Sequence, residues 1–295
     1  MTTGAEALRR RLADAQELAA VVRAMKALAA GSVGQYEQAV RALGDYEQTL
    51  ERALAARLRQ APPASVGRTH AAAASGAIVF GSDQGLVGRF NEALMMPVAA
   101  CVPSEPGGPV WAIGERVYAL LVAAGYPQAR LLWVPTTVQA ITPLVDRLLV
   151  EVEAARERGD VHAVHIVYNR QTASATHAGQ TRRLLPLDEI WRARLVEVPW
   201  PTHTPPQVID ALPGMLSTLI RAYLFAVLFR ACAESLASEH ASRLAAMQRA
   251  ERNIDERLES LHRQAQTMRQ TAIDEELFDL IAGSEALMRR GPDGR

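Results

Sequence analysis

The sequence predicts an α/β domain combined with a long antiparallel coiled coil, formed by the N-terminal and C-terminal helices of the chain. Two observations support this fold class: heptad patterns at both ends, and alternating strands and helices between them. An apolar period of about 3.5 residues leaves one narrow apolar seam on a helix, and that seam needs a partner helix. Because the two helices lie at opposite ends of one chain, antiparallel pairing is the simplest arrangement.

The first long helix is predicted within residues 1–60, where the stretch Ala5–Arg59 contains no proline. Its heptad positions alternate at spacings of four and three residues: Leu8, Leu12, Ala15, Ala19, Val22, Lys26, Ala29, Val33, Tyr36, Val40, Leu43, Glu47, Leu50 and Leu54. Gly31, Gly34 and Gly44 each cost about 1 kcal/mol relative to alanine. Such glycines either allow a neighbouring helix to approach closely or mark a bend, and both interpretations stay open.

The middle of the chain is predicted to be a Rossmann-like α/β domain over residues 76–206, with a mainly parallel sheet, preceded by a small-residue linker over residues 61–75. The buried strands expected from apolar runs are Ala77–Phe80, Val110–Ile113, Arg130–Val134 and Val161–Tyr168. Helical patterns over Phe90–Ala100, Glu115–Ala124 and Thr137–Arg156 alternate with them, which is typical of a parallel sheet covered on both faces. Additional edge strands are expected at Arg182–Leu187 and Leu195–Val198.

The second long helix is predicted over residues 207–290, followed by a short tail at 291–295. Its heptad positions are His240, Leu244, Met247, Glu251, Ile254, Leu258, Leu261, Ala265, Met268 and Ala272. A continuous helix of that length would span about 120 Å, so we expect part of it to protrude from any compact domain. The most apolar window, Leu216–Phe229, is too short to cross a bilayer and contains Arg221, so we expect a buried helix and no direct membrane insertion.

Composition excludes several functions. The 32 basic and 32 acidic residues give a formal net charge of zero, which argues against a general nucleic-acid binder. Cys101 and Cys232 are far apart in apolar surroundings, so free thiols in a reducing compartment are expected. Lys26 is the only lysine, and a Walker-type nucleotide loop requires one after its glycines.

The glycine-bearing segment Gly81–Asn91 follows a predicted strand and precedes a predicted helix, where an anion-binding loop can lie. Without a lysine, and without dinucleotide spacing, a structural turn or a partner-contact loop is the favoured interpretation. His162 and His165 are spaced to lie on opposite faces of a strand, so they cannot share a metal. We therefore expect no catalytic residue, no metal and no cofactor.

Three segments together resemble the gamma subunit of F-type ATP synthase, the central rotor shaft. They are Arg23–Ala30, Gly81–Asn91 and Ser238–Asn253, the last leading to Met268–Leu277 and Ile281–Gly283. Their order and separation match that family over nearly the whole chain. The apolar Leu18–Val22, the loop residues Val87 and Arg89, and the scarcity of lysine depart from the family pattern and suggest a divergent branch, such as the alternate, sodium-linked synthases.

The resemblance implies a non-catalytic subunit at the cytoplasmic face of the bacterial inner membrane. Its implied partners are the alpha and beta head subunits, the epsilon subunit and the c-ring, and rotation of the shaft would couple ion flow to the catalytic cycle of the head. Contacts with the head are implied for Met25, Lys26, Arg269 and Gln270. Partner contact or a structural turn is implied for Asp83, Gln84, Gly85, Gly88 and Asn91, and the coiled-coil seam includes Leu12, Val22, Tyr36, Leu244, Met247, Ile254, Leu258, Leu261 and Met268.

Two other functions compete with the rotor interpretation. One is a coiled-coil scaffold or tether with an α/β recognition domain. The other is an α/β enzyme that oligomerises through helical arms, for which no residues suggest a reaction. Co-purification with ATPase head subunits distinguishes the rotor from both.

Overall fold

We describe the fold from a computed structural model. It describes residues 2–60, 74–104, 107–172, 175–200, 202, 204 and 214–289. These residues form two compact units. The first combines the two chain ends, residues 1–27 and 247–295, and the second extends over residues 28–246. The predicted linker over 61–75 lies outside the described residues except for its last two positions, as do most of residues 199–213 and the tail at 291–295.

A five-stranded sheet forms the centre of the second unit. Its strands are β1 (Ser75–Phe80), β2 (Val110–Ile113), β3 (Arg130–Leu132), β4 (Ala163–Thr172) and β5 (Ala175–Leu185), in the order β3-β2-β1-β4-β5. The first four are mutually parallel, and β5 runs antiparallel to β4 at one edge. β1 and β2 are almost wholly buried, which explains their continuous apolar sequences.

Six α-helices accompany the sheet in the described part of the chain. They are α1 (Thr2–Gln60), α2 (Met95–Cys101), which follows a 3₁₀ turn at Glu92–Leu94, α3 (Glu115–Ala123), α4 (Ile141–Glu157), α5 (Glu189–Val196) and α6 (Met215–Arg289). The predicted fold class, with helices at both ends around a mainly parallel sheet, is confirmed.

Apolar side chains cover both faces of the sheet. On one face, the 3₁₀ turn contributes Leu94, and helices α2 and α3 contribute Val98, Val117 and Leu121, to a core that includes Val79. On the other face, α4 and the inner halves of α1 and α6 build a larger core, whose members include Tyr36, Leu54, Trp111, Ile141, Leu148, Tyr223, Val227 and Leu236. The core on this second face thus packs the C-terminal half of α1 and the N-terminal part of α6 against the sheet.

One predicted edge strand is wrong. Leu195 and Val196 lie in helix α5, and Val198 follows its end. The helix forms because the Asp188 side chain accepts a hydrogen bond from the backbone N–H of Trp191, which caps the first turn. The other predicted edge strand is present but longer, since β5 begins at Ala175.

In the first unit, the two long helices run antiparallel. Lys26 Nζ on α1 lies 2.6 Å from Glu251 Oε2 on α6. A side chain built at Gly4 would meet Met268 Cε at 3.4 Å. As residue numbers fall on α1 they rise on α6, which is the pairing that the heptad patterns predict.

The glycines of α1 interrupt nothing. The helix is continuous from Thr2 to Gln60, through Gly31, Gly34 and Gly44. Apart from the backbone of α1 itself, no described residue lies within 4 Å of a Cβ built at any of the three. Close approach of a neighbouring helix is therefore not the reason for glycine at these positions.

Helix α6 includes one stretch that is long and apolar enough to cross a membrane, within residues 215–282 and with a mean hydropathy of 1.5. One third of that stretch (33%) is buried in the structure. Side chains near the start of α6, including Tyr223, Val227 and Leu228, belong to the core against the sheet. Packing on the sheet accounts for the buried part of this apolar run.

Candidate partner-contact surfaces

The seam between the helices carries the heptad residues of both. In the first unit, Val22, Met247, Ile254 and Leu261 are buried, while Leu12 and Leu258 are half-buried. Lys26 and Glu251 are charged residues at heptad positions that are otherwise mostly apolar, and these two side chains form an ion pair across the seam. Their side chains are 38% and 21% exposed, which limits such a pair to roughly 0.2–1 kcal/mol.

The seam continues in the second unit with polar residues. The rings of Tyr36 and His240 stack with centroids 5.4 Å apart and planes at 10°. Burial, with help from the nearby Arg243 charge, lowers the pKa of His240 to about 4, so the stacked imidazole is neutral at physiological pH. Burial likewise raises the pKa of Tyr36 to about 12. Leu244 on the same helix is half-buried.

The residues assigned to head contact lie in the first unit. Arg269 and Gln270 are exposed on α6, and Met25 is half-buried on α1. Lys26 is the exception, because its ammonium already contacts Glu251. Beside Arg269, both helices line an apolar groove of about 860 Å³ with Leu8, Leu12, Met268 and their neighbours. The exposed residues are thus available to a partner, and Met268 itself is 41% exposed.

The end of α6 presents an apolar surface that the sequence interpretation missed. Gly4 lies opposite Met268 near the start of α1, so α6 continues past the start of its partner helix. Five large apolar side chains there are at least half exposed: Ile273, Leu277, Phe278, Leu280 and Ile281. We call these five residues the apolar tip. Ile273, Leu277 and Leu280 keep the four-and-three spacing of a seam, which was the available signal.

The loop over residues 81–91 is held by its own side chains. Asn91 Oδ1 accepts from the Ser82 backbone N–H at 3.0 Å, and Asn91 Nδ2 donates to Ser82 Oγ at 2.9 Å. The Asp83 carboxylate accepts from the backbone N–H groups of Glu115 and Val134, at 3.0 and 3.1 Å. Asp83 therefore ties the start of α3 and the segment just after β3 to this loop, and its negative charge opposes the binding of an anion there.

Part of the same loop is free to meet a partner. Gln84, Leu86 and Gly88 are exposed, with Leu86 at 61%. Gly88 has a φ of +66°, in the left-handed region that glycine tolerates best. Gly85 is half-buried and has only Arg116 Nη2 near the position of a Cβ, at 3.8 Å.

The family-like segment of α6 and the residues just before it pack beside this loop with small side chains. Ser235 Oγ donates to the Phe80 carbonyl at 3.1 Å, and Ser238 and Ser242 are buried. Glu239 is buried and accepts from Arg243 Nη2 at 2.6 Å, while burial raises the pKa of Glu239. Small side chains and an internal ion pair thus let α6 lie close against the carboxyl ends of the strands. Among the described residues, no group of three or more His, Cys, Asp or Glu side chains could hold a metal ion.

These surfaces define an α/β protein with an antiparallel coiled coil that offers an apolar helix end and an exposed loop for contact. The chain belongs to the ATP synthase family, whose model matches residues 4–287. It is 26% identical to the ATP synthase gamma chain of Clavibacter sepedonicus, over 94% of this chain and 95% of that one. It is 27% identical to the ATP synthase gamma chain of Acidothermus cellulolyticus, over 97% of each.

Solved structures share the fold. A chain from the Euglena gracilis mitochondrial ATP synthase, in a structure of its OSCP, F1 and c-ring, matches with a TM-score of 0.66 and 14% identity, over 100% of this chain and 98% of that chain. A chain from the rotor of the same synthase matches with a TM-score of 0.63 and 15% identity, over 92% of this chain and 100% of that chain. The predicted relationship to the gamma subunit of F-type ATP synthase is confirmed by the family model and the gamma-chain relatives.

Proposed function

We propose that this chain is the central-stalk rotor subunit of an F-type ATP synthase. It carries out no reaction itself and couples rotation of a membrane-embedded ring to the conformational cycle of the catalytic head. The relatives that support this proposal are gamma chains aligned over nearly the whole chain. The observation that carries it is the apolar tip of α6, which no other described residue covers.

Transmission of torque requires a stiff element with a bearing surface at its end. The antiparallel seam supplies stiffness in the first unit, where buried side chains such as Val22, Met247 and Leu261 each contribute about 1.5–3 kcal/mol. The apolar tip supplies the bearing, since a surface of Ile273, Phe278 and Leu280 exposed to water favours burial against a partner.

We assign the alpha and beta head subunits to the end of the helix pair. Arg269 and Gln270 are exposed beside the apolar groove, and a guanidinium can bind a carboxylate of the head bidentately. Met25 lies on the facing helix of the same unit. Rotation of the helix pair shifts a catalytic site between its open and closed states only if the free energy of this contact differs between the two states.

We assign the epsilon subunit and the c-ring to the α/β unit, where the exposed Gln84, Leu86 and Gly88 offer a contact loop. The chain would then lie at the cytoplasmic face of the bacterial inner membrane, bound through these partners. These contacts are tested by pull-down of the full-length chain with the head subunits, the epsilon subunit and the c-ring, each added separately.

The head contact is tested in an assembled head complex by Arg269→Ala combined with Gln270→Ala. We expect lower ATP turnover with unchanged subunit composition, because two exposed hydrogen-bonding groups are lost while the buried seam is kept. ATP hydrolysis and native mass spectrometry measure the two quantities.

The chain provides a matched control, since Arg263 and Gln264 repeat the same pair of residues on α6 and are also exposed. Arg263→Ala with Gln264→Ala should hydrolyse ATP at close to the unsubstituted rate. Wild-type turnover in the Arg269/Gln270 variant, or an equal loss in both variants, would remove the assignment. Failure of the unsubstituted chain to assemble with head subunits would remove the proposed function itself.

A further inference from the structure

A cavity of about 780 Å³ lies within the second unit, on the side of the sheet edge formed by β5. Helix α5 closes one side, and residues of α1, β4 and α6 complete the wall. Its size is in the range of sites that hold small organic ligands, roughly 300–1,000 Å³. None of the rotor contacts proposed above involves it.

The wall carries a surplus of positive charge. Five arginines line the cavity (Arg170, Arg182, Arg183, Arg194 and Arg230), against three glutamates (Glu47, Glu51 and Glu234). This surplus is local, because the whole chain has a formal net charge of zero. An arginine-rich wall suits a multiply charged oxyanion such as a phosphate or a carboxylate, which guanidinium groups bind through paired N–H donors.

Buried carboxylates hold two of the arginines in place. Glu47, which is 5% exposed, accepts from Arg182 Nη2 at 2.8 Å and from Arg230 Nη1 at 3.0 Å. Arg230 Nε also donates to Glu234 at 2.9 Å. Both guanidiniums are thereby fixed before any ligand arrives, which reduces the entropy lost on binding.

These ion pairs leave donors unused. Arg182 makes its bonds to Glu47 and Tyr223 through Nη2 alone, so Nε and Nη1 stay available. The side chains of Arg182 and Arg230 are 32% and 29% exposed, so neither guanidinium group is sealed in the core.

The surplus charge itself falls on the two arginines that the carboxylates hold least. Arg170 lies 3.7 Å from Glu234 and its side chain is 54% exposed. Arg194 is exposed, and its charge acts on the nearby carboxylate of Glu51, although among the described residues it forms no ion pair within 4 Å. By contrast, Arg183 is paired with Asp188. Arg170 and Arg194 are therefore the residues whose charge a ligand would neutralise.

An aromatic pair forms the apolar part of the wall. The rings of Trp191 and Tyr223 lie 5.6 Å apart between centroids and are inclined at 54°. Leu187, Ile190 and Val227 line the cavity with them. A ligand with an apolar or ring-shaped body could pack here while its charged end meets the arginines.

We propose that this cavity is a binding site for a small organic phosphate, with its phosphate groups on Arg170, Arg194 and the free donors of Arg182. The body of the ligand packs against Trp191. A phosphate ester supplies about two negative charges and several acceptor oxygens at neutral pH, which suit guanidinium donors. The site would give a rotor subunit a direct response to a soluble phosphate compound or to a phospholipid headgroup.

The test is isothermal titration of the purified full-length chain at about 150 mM salt, where weak surface attraction is screened. The probes are ADP, inorganic phosphate, and vesicles of phosphatidylcholine with and without phosphatidylglycerol. A soluble ligand predicts saturable binding of one ADP, with inorganic phosphate weaker because it leaves the aromatic wall empty. A headgroup ligand predicts binding to the phosphatidylglycerol vesicles only.

Arg170→Ala and Arg194→Ala should each weaken the observed binding by about tenfold, since each removes a charge-assisted contact. Both side chains are exposed, so circular dichroism should show unchanged folding. Arg116→Ala, which removes an exposed arginine of α3 outside the cavity, should bind like the unsubstituted chain. The absence of saturable binding of every probe, or binding that all three variants share, overturns the proposal. Neither result would bear on assembly with the head, so the rotor function is tested separately.

Discussion

Replacing Gly81 with alanine should destabilise the α/β unit strongly, while the same change at Gly85 should not. Gly81 directly follows β1, and its backbone N–H donates to the Ile113 carbonyl of β2 at 2.8 Å. A Cβ built there would lie 2.4 Å from both Cβ and Cγ1 of Val117, and 2.8 Å from Asn91 Oδ1. Ordinary carbon–carbon contacts lie near 3.5–4.0 Å, so the overlap exceeds about 1 Å.

The neighbours of Gly81 cannot give way cheaply. Val117 is fully buried in helix α3, and Asn91 Oδ1 holds the backbone N–H of Ser82. Overpacking of a tight core costs about 1–3 kcal/mol, and a clash with a rigid β-branched side chain belongs at the upper end. A loss of about 3 kcal/mol corresponds to a fall of roughly 6–12 °C in the melting temperature of a domain of this size.

Thermal unfolding of the full-length chain, followed by circular dichroism, measures the effect. Gly85→Ala is the control in the same loop, because its new Cβ meets only Arg116 Nη2, at 3.8 Å. We expect that variant to melt within about 2 °C of the unsubstituted chain. Equal melting temperatures for Gly81→Ala and Gly85→Ala would refute the packing argument, and with it the structural role of the first glycine.

Further predictions concern the long helices and one thiol. Gly31→Ala and Gly34→Ala should each raise the free energy of unfolding by up to about 1 kcal/mol, because the new methyl groups meet no neighbouring element within 4 Å. A lower free energy of unfolding in urea denaturation would contradict this. Lys26→Glu should lower the melting temperature and Glu251→Lys in the same chain should restore it, whereas additive losses would show that the two side chains do not meet. Because burial raises the pKa of Cys232, iodoacetamide at about pH 8 should leave this thiol unmodified in the folded chain; mass spectrometry showing modification at the rate of an exposed thiol would count against its burial.

Local patterns predicted most of the secondary structure. The strand Val110–Ile113 has the bounds that the apolar run indicates, and the parallel order follows from the alternation of strands with helices. The strand prediction at Leu195–Val198 was wrong because this short segment, with apolar residues around Glu197, does not reveal that Asp188 caps a helix several residues earlier. The apolar tip was missed although its spacing was visible, since a seam without a partner has the same sequence pattern as a paired one.

The sequence by itself determined that two heptad helices and a mainly parallel sheet make up this protein, because helix and strand periods depend on near neighbours in the chain. Only the tertiary structure decided which charges meet. Glu47 occupies a seam position in the sequence, yet its carboxylate binds Arg182 and Arg230, which are more than a hundred residues away. Such contacts, and the arginine-lined cavity that they help to form, depend on how distant elements pack, and a residue pattern along one helix carries no record of that.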